Sequence, residues 1–291
     1  MSPYGELDRQ NRGYSSALVE PITYRIKLPT KDRSSRSSVI NRVEEVEEGD
    51  DDDDDDEEDR WMIRFLTIVP IDYQTAPADS ILKDDRTFGQ VWKHLSDIFD
   101  KVLIDGRTYP QESQLGSVGF KNYFLSHDFF LGVSLDKDQL KDPKLKLSQK
   151  KCSSTVTEDQ LNLSSEKILH YLSDGSRFNQ IVGMHYIKPN YPGRSSHLCN
   201  GGFVVDPRYR GYRFGKALAK SFLHYAPKLG YKGSVFNLVY TNNHSSVAIW
   251  DSLGFNRVGL IPRAGRLKCS TEKSPEGEEY VDAIVYHRSF S

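Results

Sequence analysis

A chain of 291 residues, 37% of them hydrophobic, is long enough to bury a sizeable core as one large domain or two small ones. No apolar run approaches the roughly 18 residues of a membrane span, and the first residues lack the charged-then-apolar pattern of a secretory leader, so membrane and secreted classes are not expected. The net charge of −2 hides two opposite parts: residues 44–59 carry fourteen acids and no base, while the remainder sets 39 basic residues against 27 acidic, a net of +12 that would attract an anionic cofactor, nucleic acid or an acidic partner.

Residues 1–21 are polar and read as a flexible N-terminus, with residues 22–291 as the folded domain. A half-buried strand is expected at 23–28, where apolar and polar residues alternate. Residues 31–60 are Ser/Arg-rich and then acidic, including seven consecutive aspartates, and are too charged to bury anything; they read as a disordered insertion between strands. Strand composition returns at 61–69. Residues 91–103 carry the apolar stripe Val91, Leu95, Ile98, Phe99, Val102 of a packed helix, and 120–125 suggest a second. A strand follows at 129–135, then a polar loop at 136–166.

Strands are expected at 181–187 and 197–205, separated by a Pro/Gly turn at 188–194. A helix at 214–225 leads through Pro227 and Gly230 to a strand at 234–241. A short helix at 243–253 has Asn243 as a plausible N-cap and Gly254 as its stop, before strands at 256–261 and 281–287. Cys152, Cys199 and Cys269 are odd in number, far apart and without disulfide or metal spacing, so a reducing compartment (cytoplasm, nucleus or both) and no metal are expected.

One local pattern carries chemistry. The run Phe203-Val204-Val205 stops at Asp206-Pro207, and a loop with Arg210, Gly211, Arg213 and Gly215 precedes a helix. Strand, basic glycine loop and helix N-terminus together make an anion cradle of backbone N–H groups and a positive dipole end. A nucleotide P-loop is excluded, because Gly215-Lys216 is followed by Ala217 where Ser or Thr would hold magnesium.

Val205-Asp-Pro-Arg-Tyr-Arg-Gly-Tyr-Arg-Phe-Gly-Lys-Ala-Leu218, followed after a strand by Asn243-His-Ser-Ser-Val-Ala-Ile-Trp-Asp-Ser-Leu-Gly-Phe255, resembles the GNAT acetyltransferases. Residues 186–203 and the segments Lys228-Leu-Gly-Tyr231 and Phe236-Asn-Leu-Val239 are similar to a fungal branch that includes acetyltransferases of proline analogues such as azetidine-2-carboxylate, and related nuclear regulators. The resemblance implies an α/β (α+β) GNAT fold: a mixed, mostly antiparallel sheet with a splayed strand pair and flanking helices.

It further implies acetyl-CoA as co-substrate. The pyrophosphate would be held at Arg210, Gly211, Tyr212, Arg213, Phe214, Gly215 and Lys216, and the pantetheine arm along Phe203, Val204 and Val205, with Asn243 contacting the arm. Asn200 and Asn237 match asparagines that shape the acceptor site. Transfer would be direct: a neutral amine attacks, a fixed donor stabilises the oxyanion, and a base removes the amine's proton. His197 is the candidate base, and Asn200 is counted with it among the catalytic candidates.

Two departures stand out. Arg213 sits where a glycine is usual, and Trp250 sits where many members carry a tyrosine that protonates the leaving thiolate; either the CoA thiolate leaves without an acid or another group such as Tyr240 serves. A small-molecule acceptor competes with a basic protein partner drawn by the acidic tract 44–59 and with a non-catalytic regulator. Pairing of two chains through the C-terminal strands is an expectation from the family, and nothing supports direct sequence-specific DNA reading.

Overall fold

The computed structural model describes residues 20–29, 61–142, 145, 164–174, 177–270, 272 and 274–290. Most of the expected flexible N-terminus, the acidic insertion and Cys152 lie outside them.

Among the described residues, eight strands form one sheet in the order β1-β2-β3-β4-β5-β6-β8-β7. Along the chain these are β1 (Ile22–Pro29), β2 (Trp61–Ile71), α1 (Gly89–Asp105), α2 (Gly116–Phe124), β3 (Asp128–Leu135), α3 (Ser165–Leu172), β4 (Ile181–Pro189), β5 (Leu198–Val205), α4 (Phe214–Lys228), β6 (Gly233–Tyr240), α5 (His244–Ser252), β7 (Asn256–Lys268) and β8 (Glu278–Ser289). Every neighbouring pair is antiparallel except β5 and β6. Those two run parallel and pair only at Leu198↔Gly233 and Cys199↔Ser234, then part. The mixed sheet with one splayed pair is the architecture implied by the sequence.

Strand alternation sorts the side chains onto two cores. In β4, Ile181, Met184 and Tyr186 face the core built with α1, α2 and α3, while Val182 and Ile187 face the core built with α4. The stripe of α1 is buried as expected, and Gly106 ends the helix in the left-handed region (φ 68°), its N–H bonded to the Val102 carbonyl. Helix α3 was not expected: its start falls inside the segment read as a polar loop. Ser164 caps it by accepting from the Lys167 N–H, and Ile168, Leu169 and Leu172 anchor it in the core. Strands β7 and β8 outrun the segments expected for them because they pair with each other as far as Lys268↔Glu278. Pro227 lies inside the last turn of α4, which continues to Lys228.

His185 of β4 is fully buried between the rings of Phe130 (centroids 4.6 Å apart) and Phe203 (5.3 Å). Ser221 donates to the Leu218 carbonyl, so its oxygen is left to accept from His185 Nε2 at 2.9 Å, which fixes a neutral tautomer. Burial pushes the imidazole down to about 3, so the unfolded chain takes up a proton below pH ~6.5 that the folded chain refuses. Stability from this group is complete above pH ~6.5 and is lost as pH falls toward 3, by about 2 kcal/mol at pH 5. Urea unfolding of a His185→Phe variant should show a flatter acid limb by up to one proton; an unchanged slope would contradict the assignment.

Candidate active site

Pairing between β5 and β6 stops at Cys199↔Ser234, so from Asn200 onward the β6-facing side of β5 has no strand against it. Its other side stays zipped to β4 through Gly183↔Val205. The gap opens toward the C-terminal end of β5, and the loop to α4 closes that end. Asp206 stops the strand: its carboxylate accepts from the Arg208 backbone N–H (2.9 Å) and Nε (3.0 Å), starting a single 3-10 turn. Burial opposes that charge, but the Arg208 bonds outweigh it and hold the carboxyl below the usual range.

The loop then takes two left-handed residues, Gly211 (φ 82°) and Arg213 (φ 61°). Lys216 and Ala217 both donate to the Arg213 carbonyl, which leaves Phe214 and Gly215, the first residues of α4, without an acceptor inside the helix. A Cβ at Gly215 would meet Val205 (3.6 Å) and Ile249 (3.5 Å) at ordinary contact distance, so the first turn of α4 lies against the end of β5 and α5. Arg210 and Arg213 are exposed and Lys216 half-buried around it. Helix-start amides beside three basic residues make an anion-accepting loop.

Arg213 occupies a conformation that costs a non-glycine residue about 1–2 kcal/mol, which explains why glycine is the usual choice there. Its exposed guanidinium would compensate by meeting an anion. Arg213→Gly should therefore keep or raise the melting temperature while raising KM for the anionic cofactor several-fold; a fall in both would show that the arginine does not bind anion. Asn243 caps α5 by accepting from the Ser246 N–H at 3.2 Å, a bond that uses its oxygen and not its NH2 group.

At the fork itself the structure brings three asparagines together. Asn200 Nδ2 donates to Asn190 Oδ1 (3.1 Å), Asn237 Nδ2 donates to the same oxygen (2.6 Å), and Asn190 Nδ2 returns a bond to Asn237 Oδ1 (3.1 Å). Asn190 is anchored in turn by its backbone N–H on the Leu198 carbonyl (2.8 Å). Sequence reading singled out Asn200 and Asn237 and missed Asn190, which had been absorbed into a Pro/Gly turn; only the β4–β5 register shows that it bridges the others.

His197 is exposed, one residue before β5, with Nδ1 3.1 Å from the Arg194 carbonyl. A carbonyl only accepts, so Nδ1 carries the hydrogen and Nε2 presents its lone pair. No hydrogen bond ties the ring to the asparagines. Trp250 is a wall: its Nε1–H donates to Ser246 Oγ (3.0 Å), and it packs on Phe203, Phe236 and Phe255. Tyr240 lies against Gly265 and Leu267, and burial raises its hydroxyl above the ordinary phenol range. Cys199 is a fully buried core residue.

Residues 138–255 match the model of the Acetyltransferase (GNAT) family. Two fungal relatives follow. The chain is 49% identical over 110 residues (38% of its length) to the N-acetyltransferase aca1 of Schizosaccharomyces pombe, and 31% identical over 209 residues (68%) to Protein SPT10 of Saccharomyces cerevisiae. These alignments span 49% and 31% of the relatives' own lengths. Among solved structures, a GCN5-related N-acetyltransferase from Kribbella flavida aligns with 77% of this chain and 98% of its own, at 20% identity and a TM-score of 0.49.

Proposed function

We propose that the protein is an acetyl-CoA-dependent N-acetyltransferase acting on a small amino- or imino-acid-like amine. The observation that carries this reading is the asparagine cluster at the fork of β5 and β6. Acetyl-CoA supplies an acetyl group activated as a thioester. The amides of Phe214 and Gly215, with Gly211, Tyr212 and the cations Arg210, Arg213 and Lys216, hold its diphosphate. The unpaired edge of β5 at Phe203, Val204 and Val205 and the Asn243 amide hold the arm. Asn200 and Asn237, held by Asn190, orient the acceptor. Proline-like amines are protonated at neutral pH, and the Nε2 lone pair of His197 takes that proton through a water.

The test is steady-state competition between azetidine-2-carboxylate and a lysine-rich peptide, with Asn237→Ala alongside. Turnover of the imino acid that falls at least tenfold in the variant supports the reading. Turnover of the peptide alone would replace it with a protein acetyltransferase. That second reading draws on the acidic tract 44–59, which would recruit basic peptides. A homodimer would form on β7, the sheet edge that exposes Val258, Leu260 and Ile261.

A further inference from the structure

Lysines are seldom withdrawn from water, yet Lys188 is half-buried and stands at the fork. It is the β4 residue directly opposite Asn200 in the antiparallel ladder, and opposed residues project from the same face with their Cβ atoms about 5 Å apart. Tyr186, two residues earlier, shares that face. Its ring and the Tyr109 hydroxyl lie over Gly202, where a Cβ would come within 2.6 and 2.8 Å of them; the missing side chain makes room for both. The Tyr123 and Tyr186 hydroxyls are 3.2 Å apart, and Tyr109 donates to the Phe203 carbonyl at 3.2 Å. Lys188 Nζ sits 5.4 Å from the centroid of Tyr186 and 5.9 Å from that of Tyr123, so the rings steady the ammonium. A cation, tyrosine hydroxyls and a hydrogen-bonded set of side-chain amides therefore share one face beside the point where the acetyl group would be delivered.

We propose that Lys188 is a specificity-determining residue that binds the carboxylate of the acceptor, restricting turnover to free amino or imino acids. The proposal rests on the small-acceptor reading given above. One ammonium at the fork selects a small acid bearing both an amine and a carboxylate; the Asn200–Asn190–Asn237 amides orient the amine end, and the tyrosine rings exclude bulk beyond it. A peptide lysine, whose amine lies far from any carboxylate, offers nothing to this cation. Burial holds the Lys188 ammonium below the usual lysine range.

The test compares kcat/KM for azetidine-2-carboxylate and its uncharged carboxamide in the wild type, Lys188→Met and Lys188→Arg. The acid-over-amide preference should fall roughly 10- to 100-fold in Lys188→Met and survive in Lys188→Arg, which keeps the charge. A purely packing role, or a role as base, would lower both acceptors together and leave the ratio unchanged; that result overturns the proposal. Calorimetric binding of N-acetylproline to the CoA-loaded protein separates this failure from failure of the parent reading. If no imino acid is turned over but the wild type binds the N-acetyl acid and Lys188→Met does not, the carboxylate site stands and the catalytic reading falls. If neither protein binds it, both fall.

Discussion

Asn190→Asp is expected to cut kcat/KM for the amine acceptor by roughly 100-fold while the protein remains folded and its KM for acetyl-CoA changes little. The substitution is isosteric. Oδ1 of the new aspartate would still accept from Asn200 and Asn237, but the former Nδ2 donor becomes an oxygen facing Asn237 Oδ1 at 3.1 Å. Two acceptors cannot share that distance without repulsion, so Asn237 must turn and the acceptor loses its guide. Steady-state kinetics in each substrate, with circular dichroism as the folding control, checks it. Equal losses in both KM values would mean that Asn190 supports the whole fork rather than the acceptor side.

The second large effect is on stability. A Cβ at Gly183 would lie 2.5 Å from the Val204 carbonyl oxygen and 2.9 Å from Leu218 Cδ1. The first obstacle is backbone of the neighbouring strand, so relief requires β4 and β5 to part at the Gly183↔Val205 pair, beside the start of the diphosphate loop. Overpacking of this kind costs about 1–3 kcal/mol, a fall in melting temperature of about 2–12 °C for a domain of this size. Gly183→Ala should also weaken acetyl-CoA binding. Gly215→Ala is the contrast, because its Cβ would meet only ordinary contacts at 3.5 Å or more. Thermal melts of the two variants, with and without acetyl-CoA, separate strain in the sheet from a local change at the start of α4.

Much of this fold is legible in the chain because its elements bury one face each. The stripe of α1, the alternation of β1 and the stop at Asp206-Pro207 are local signals, and the structure follows them. Helix α3 was not legible for a local reason: eight residues after a polar run offer barely two turns of periodicity, and the cue that existed was Ile168, Leu169 and Leu172 behind a capping Ser164. The left-handed requirement at Arg213 was visible only as a mismatch with the expected glycine, and the φ of 61° supplies its meaning.

The acceptor side shows a different limit. Asn200 and Asn237 stand in recognisable sequence contexts, whereas Asn190 and Lys188 acquire roles through register. Lys188 lies opposite Asn200, and Asn190 bonds to Leu198 across the end of the same hairpin. Proline and glycine around them make the segment read as a turn, and no periodicity reveals which turn residue is folded back against the sheet. His197 stands one residue before β5, where its position drew attention, with Nδ1 against the Arg194 carbonyl of its own turn; its proposed role as base rests on the other ring nitrogen.

The most direct measurement is release of CoA thiol when the protein meets acetyl-CoA and azetidine-2-carboxylate, with the N-acetylated product identified by mass. The account predicts stoichiometric thiol and acetylated imino acid, both strongly reduced in Asn190→Asp. Acetyl-CoA binding without acetylation of any imino or amino acid would contradict it.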